Sequence, residues 1–413
     1  MKTGLLKKNI LFNGFTLLVA LVCLLTILLN TINGRFWLSD FHVYYSAAQN
    51  FLSGGQVYLV SFDSGSGFYK YSPVMLLFFL PFCIFSFKAA SIIYFILLSI
   101  TFWYAFILIR DLLKLCFFRY TPRNEYVLLS LSFIPIVIFL SRELFLGNIN
   151  IIILILCCLA AKRYLSGKDF AASLFISIAI IAKPYFLLLL IPLVIRRKWK
   201  ALFWVVLFLT AGMAIPFLLS GPSKSIQLYS DWFNTMLIHD NAFPSRNSLE
   251  YILQYYVSPS LPGFVQYLIL AIVCASAVLF IRSNIAFEKK HEVSSGFQDS
   301  NFYFEWFVLI ALLPNLVKAD WVQFLLSAPI IAFIIFSIAR LKRYWLIPVL
   351  VILIFFFGAN SDDLMGRALS HQLFIMGLMG ISNILLILMS LYLFLDYRKK
   401  RDRELSNQPD DPE

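Results

Sequence analysis

Long apolar runs separated by short polar connections set the pattern of the chain. They lie at approximately 10–32, 89–109, 126–140, 148–162, 169–181, 183–195, 201–219, 262–281, 303–317, 321–339, 344–358 and 372–395. Runs of roughly 15–23 residues match a hydrocarbon core of ~30 Å crossed at ~1.5 Å per residue. A backbone in that core must satisfy its own hydrogen bonds, so the runs are expected to be helices. The ~10-residue alternating segments of a β-barrel are not visible. The pattern predicts an all-α, polytopic integral membrane protein with about 12 transmembrane helices. A further apolar stretch, 73–87, is short and contains Pro81. It is expected to be a juxtamembrane or re-entrant helix rather than a span. Residues 40–52 are expected to form a short amphipathic helix at the interface, anchored by tyrosines and Trp37.

Composition agrees with this reading. Of 413 residues, 61% are hydrophobic and 14% charged, too few charges to cover a soluble domain of this size. The formal charge of +12 raises the question of a nucleic-acid partner. The basic residues are instead scattered over seven separate connections, among them Lys2/Lys7/Lys8, Arg196/Arg197/Lys198/Lys200 and Arg398–Arg403. That distribution sets topology by the positive-inside rule, so no nucleic-acid binding is expected. It puts both termini in the cytoplasm and turns the loops 33–88 and 220–261 outward. If 73–87 were a full span, every later cluster would change sides and the bias would collapse. The first run is too long for a signal-peptide core and is read as an uncleaved span. The six cysteines lie mostly inside apolar runs without C-x-x-C spacing, which argues against a disulfide framework or a zinc site. The chain reads as one transmembrane domain, 1–413, with a cytoplasmic tail at 396–413.

The outward loops gather the chemistry-bearing residues. Asp40 follows the first span, within Ser39-Asp40-Phe41-His42-Val43-Tyr44-Tyr45. A carboxylate among aromatic rings suits a general base, and it equally suits a helix N-cap for residues 41–52. Lys183 interrupts an apolar stretch immediately before Pro184, which breaks a helix. A cation at such depth suggests a phosphate partner, although a snorkelling loop lysine has the same appearance. Arg142 either clamps a phosphate or pairs with Glu143. Asn148 and Asn150 open the next span, as caps or as ligands. Lys318, Asp320, Trp321 and Gln323 mix cation, anion, indole and amide as sugar sites do, and also as a tight loop with an interfacial Trp would. Walker A, G-x-G-x-x-G and H-E-x-x-H motifs are missing, and no metal or cofactor is expected.

Taken in order, these motifs resemble glycosyltransferase family 87. Asp40-Phe41-His42-Val43-Tyr44, Gly54-Gly55-x-x-Tyr58 and Tyr69-Lys70-Tyr71-Ser72-Pro73 look like the family's opening loop. Gly147-Asn148-Ile149-Asn150 resembles its Gly-Gln-x-Asn, with Asn148 where Gln is usual. Ala182-Lys183-Pro184 resembles its Lys-Pro turn. Asp320-Trp321-x-Gln323 stands where relatives often place a histidine. The resemblance covers 1–200 well and the remainder mainly by span pattern. It implies a bundle of the GT-C membrane fold and an inverting transferase. The enzyme would move a hexose, mannose by the resemblance, from a polyprenyl-phosphate carrier to a glycan or glycolipid acceptor outside a bacterial cytoplasmic membrane. It implies Asp40 as the base. Lys183, Arg142, Lys70 and Lys318 would then hold the donor phosphate. His42, Tyr44, Tyr71, Asn148, Asn150, Asp320, Trp321 and Gln323 would contact sugar or acceptor. Two other classes share the lipid-phosphate chemistry. A lipid-linked saccharide transporter would show two related halves, which are not visible. A cell-surface polysaccharide polymerase or ligase would carry a larger outward loop rich in Arg and His.

Overall fold

A computed structural model describes residues 13–34, 36, 38–62, 67–118, 121–242, 245–260, 262, 264–290, 295–318, 320 to 358 and 362–406. Trp37 and the ends of the chain, including 407–413 of the tail, lie outside the described residues. The first span, α1 (Gly14–Ile32), starts where the Asn13 side chain accepts the Thr16 amide at 2.9 Å. Its buried positions are Phe15, Val19, Cys23 and Thr26, one stripe at helical spacing. Leucines on its other faces, such as Leu17 and Leu29, are exposed, as expected of a helix bathed by lipid.

After α1 come α2 (Ser39–Ser53), an irregular helix α3 (Pro73–Ile84) and α4 (Phe87–Cys116). The next elements are α5 (Asn124–Leu146), α6 (Asn150–Leu165), α7 (Asp169–Ala182), α8 (Pro184–Ile195) and α9 (Trp199–Ser220). Then follow α10 (Pro222–Ala242), α11 (Leu249–Tyr256), α12 (Val265–Lys290), α13 (Ser295–Leu316) and α14 (Trp321–Leu341). The chain closes with α15 (Tyr344–Gly358), α16 (Asp362–Met365), α17 (Arg367–Ile375) and α18 (Leu378–Ser406). Among the described residues there is no β-strand, only an isolated bridge between Ser61 and Phe68. The protein is an all-α polytopic membrane protein.

Among the described residues, seven helices (α1, α4, α5, α9, α12, α14 and α18) are long and apolar enough to cross a membrane. Four others, α3, α7, α8 and α15, are apolar but shorter. The 12 residues of α3 alternate between 3-10 and α geometry and reach only about 20 Å, well short of a ~30 Å core. The centre of the bundle is α14, almost wholly buried, with α5, α13 and α18 packed round it. Its neighbours are equally apolar. Phe304 of α13 and Phe394 of α18 stack with centroids 4.2 Å apart.

Two breaks in the helical pattern shape the site. Between α5 and α6 the chain turns at Gly147, whose φ of +70° is in the left-handed region. A Cβ there would approach the Phe41 Cβ to 2.7 Å, so only glycine lets α2 lie against this turn. Between α7 and α8, Lys183 takes an extended backbone (φ −141°, ψ 100°) and Pro184 opens a 3-10 segment. Neither half-helix, of 14 and 12 residues, crosses a membrane alone.

Candidate active site

The helix carrying Asp40 begins two residues earlier than a capping role would require. Leu38 is the N-cap of α2, in the left-handed region at φ 44° and with no side-chain cap. Asp40 therefore sits inside the first turn, where a carboxylate favours the helix dipole, and its side chain reaches away from the helix. Asn148 Nδ2 donates to Asp40 Oδ2 at 2.7 Å. The Asn148 carbonyl oxygen accepts from the Ile149 amide at 2.7 Å and from the Tyr71 hydroxyl at 3.3 Å. The amide is thereby oriented, with its NH₂ committed to the carboxylate. Tyr44, one helical turn beyond Asp40, meets Tyr71 hydroxyl to hydroxyl at 3.2 Å. Burial holds both phenols well above their ordinary pKa, so they act as neutral donors.

The segment Lys70–Ser72 lies in no helix and is pinned by three hydrogen bonds. Tyr58 donates to the Tyr71 carbonyl at 2.7 Å, Trp232 of α10 donates to the Lys70 carbonyl at 3.0 Å, and Ser72 donates to the Ile181 carbonyl at 2.9 Å. The last bond ties this loop to the end of α7, beside Lys183. The two long loops of the sequence thus converge on one place.

That place is a cavity of about 1390 Å³. Asp40, Tyr44, Lys70, Tyr71, Arg142, Asn148, Lys183, Lys318, Asp320, Trp321 and Gln323 all line it. Tyr185 donates to Gln323 Oε1 at 2.6 Å, which leaves the Gln323 NH₂ as the donor end of that amide. Lys70 is held below the ordinary lysine range by burial, against the opposing charges of Asp40 and Asp320. Burial pushes Asp320 above its ordinary value, opposed by Arg142, the Trp321 amide, Lys183 and Lys70. Arg142 lies over the Phe145 ring at 4.9 Å, while Glu143 turns the other way into the protein. The Arg142–Glu143 alternative is therefore replaced by two side chains with separate partners.

His42 and Asn150 do not line the cavity. His42 is two positions beyond Asp40, which carries it to another face of the helix. Its ring packs edge-on against Phe87 with centroids 4.7 Å apart. Asn150 is buried behind the wall, between Glu143 and Lys183. It donates to Glu143 Oε2 at 3.0 Å and accepts from Lys183 Nζ at 2.5 Å.

The cavity also recruits residues that sequence patterning did not single out as ligands, chiefly Arg246, Trp232 and Tyr185. Tyr185 had a signal, being next to the Lys-Pro break. Arg246 stood in an outward loop with nothing local to tie it to the other site residues, because only the fold brings the connection after α10 over the cavity, where its guanidinium stacks on Phe374 at 5.2 Å. The lining also includes apolar side chains. Leu187, Leu188 and Ile191 of α8 face Leu270, Cys274 and Val278 of α12, the latter three spaced one turn apart.

The family profile of glycosyltransferase family 87 matches residues 68–292, more than half of the chain. The chain belongs to glycosyltransferase family 87. It is a membrane glycosyltransferase, and its substrates are a sugar donor and an acceptor. No curated protein matches it significantly. The matched interval holds Lys70, Tyr71, Arg142, Asn148, Lys183 and Arg246. Asp40 and the Lys318–Gln323 turn of the glycosyltransferase lie on either side of it and join the cavity through the fold.

Proposed function

We propose that the protein transfers a hexose, mannose by family resemblance, from a polyprenyl-phosphate carrier to an extracytoplasmic glycan or glycolipid, with inversion and with Asp40 as general base. The enzyme would sit in a bacterial cytoplasmic membrane with both termini inside and the cavity mouth outside. The observation that carries the reading is one cavity joining a carboxylate, several cations and apolar side chains of α8 and α12. Asp40 takes the proton of the acceptor hydroxyl. The resulting oxygen attacks the anomeric carbon while the bond from that carbon to the phosphate oxygen breaks. Polyprenyl phosphate leaves with the electron pair. Lys183, Lys70, Arg142 and Lys318 offset the negative charge that grows on this leaving group, so no general acid is required. Asn148 holds Asp40 in place, and Asp320, Trp321 and Gln323 suit the donor sugar.

The apolar part of the lining supports a lipid-linked donor over a nucleotide sugar. The stretch of α12 from Gln266 to Val278 covers about 18 Å at 1.5 Å per residue, length that a polyprenyl chain would use and a nucleotide would not. The test is a transfer assay with synthetic polyprenyl-phosphate sugars set against nucleotide sugars. Product from the former alone is expected. Turnover of nucleotide sugars alone would overturn the donor assignment.

A further inference from the structure

Glu143 is fully buried and touches nothing in the cavity, yet it stands one residue from the cavity wall. One oxygen, Oε1, accepts the Ile151 amide at 2.9 Å and so caps the first turn of α6. The other, Oε2, accepts from Asn150 Nδ2 at 3.0 Å, and Asn150 Oδ1 in turn accepts from Lys183 Nζ at 2.5 Å. Lys183 is 8% exposed, Asn150 2% and Glu143 0%. A cap needs only the first contact. The second contact is a chain leading to the cavity.

The chemistry of the chain fixes its polarity. A carboxylate only accepts hydrogen bonds and an ammonium only donates them, whereas an amide does both from opposite ends. With Glu143 ionised, Asn150 has one compatible orientation, its NH₂ toward Glu143 and its carbonyl toward Lys183. We infer that Glu143 is a positioning residue, which sets the Asn150 amide and through it holds the Lys183 ammonium, charged and aimed, at the wall of the cavity. An ammonium has three donors, and Asn150 takes one of them, so the others remain for an anion. The buried negative charge also compensates the cation when the site is empty. In a Glu143→Gln variant the Ile151 cap can persist on the amide oxygen. The new NH₂ then opposes the NH₂ of Asn150, and a flipped Asn150 would turn its NH₂ toward Lys183.

This inference rests on the reading above that Lys183 meets the donor phosphate, and a double-mutant cycle on the full-length protein in proteoliposomes separates the two. The readouts are kcat/KM for a polyprenyl-phosphate sugar and the affinity for polyprenyl phosphate, with thermal stability as the control. Lys183→Ala tests the reading alone. Glu143→Gln and Asn150→Ala are each expected to lower kcat/KM roughly 10- to 100-fold, the range of a lost charge-assisted bond. Both should weaken polyprenyl phosphate binding. In a Lys183→Ala background either change should add less than about twofold, since its target is gone. Asn150→Ala leaves the Ile151 cap intact, so it serves if Glu143→Gln does not fold. Wild-type transfer by Asn150→Ala, or a loss that recurs undiminished in the Lys183→Ala background, overturns the positioning role and leaves the phosphate role of Lys183 standing. Wild-type transfer by Lys183→Ala removes both.

Discussion

Asp40→Asn is the most direct test of the chemistry. The substitution changes neither the volume nor the reach of the side chain, and an asparagine can offer its amide oxygen to Asn148 Nδ2, the partner of Asp40 at 2.7 Å. The contact that fixes the side chain therefore survives in kind, weakened from a charge-assisted to a neutral hydrogen bond. The stability change should stay within about 1 kcal/mol. What the variant loses is the proton acceptor. General-base catalysis contributes about 10²–10⁴ in rate, or about 3–5 kcal/mol of barrier at 1.36 kcal/mol per decade. The expected result is a kcat lower by that factor, a donor KM little changed and an unaltered melting temperature. The assay is sugar transfer by purified protein in proteoliposomes, with single-turnover rates to isolate the chemical step. A kcat within about tenfold of wild type would refute the role of Asp40, since another group must then take the proton.

Asn148→Ala leaves the base but removes the donor that orients it, and the transfer rate should fall about 10- to 100-fold, the range for hydrogen bonds to charged groups. Unchanged kcat would show that Asp40 needs no such guide. Gly147→Ala forces a Cβ to 2.7 Å from the Phe41 Cβ at a left-handed φ of +70°. It should destabilise the protein by roughly 2–5 kcal/mol, combining left-handed strain with overpacking, read as a lower melting temperature together with lost activity. Asp320 binds its proton more tightly in the folded protein than in the unfolded chain, because burial raises its pKa above 3.8. Folding stability from this group therefore rises as pH falls through the folded pKa and is complete below 3.8, a gain that Asp320→Asn cannot show. Melting curves of the two proteins should accordingly differ most at neutral pH, with the variant the more stable, and a variant less stable at neutral pH would contradict the sign.

Much of the architecture was legible in the chain itself, and for a physical reason. A bilayer forces every backbone polar group to pair locally, so run length and apolarity specify a helix without reference to neighbours. The shortness of 73–87 and the break at Lys183-Pro184 were equally local, because Pro acts on its own backbone. The type of each site residue was also visible, since a charge among apolar residues stands out wherever it occurs.

Direction and partnership were not visible. Asp40 read equally well as a cap, and only the placement of Leu38 at the helix start and of Asn148 against the carboxylate settled what it touches. His42 and Tyr44 follow Asp40 by two and four positions, yet one packs on Phe87 and the other lines the cavity, a difference made by rotation about the helix axis and by what is packed there. Asn148 and Asn150 share one turn and serve opposite ends of the site, one on Asp40 and the other behind Lys183. Arg246 stood in an outward loop with nothing local to tie it to the other site residues. The sequence by itself determined helices, breaks and the kinds of groups available, because those depend on residues a few positions apart. The tertiary structure alone decided which groups face one cavity and which stand behind its wall, because most of those contacts join groups far apart in sequence, such as Lys183 and Asn150, 33 positions apart, and Tyr185 and Gln323, 138 apart.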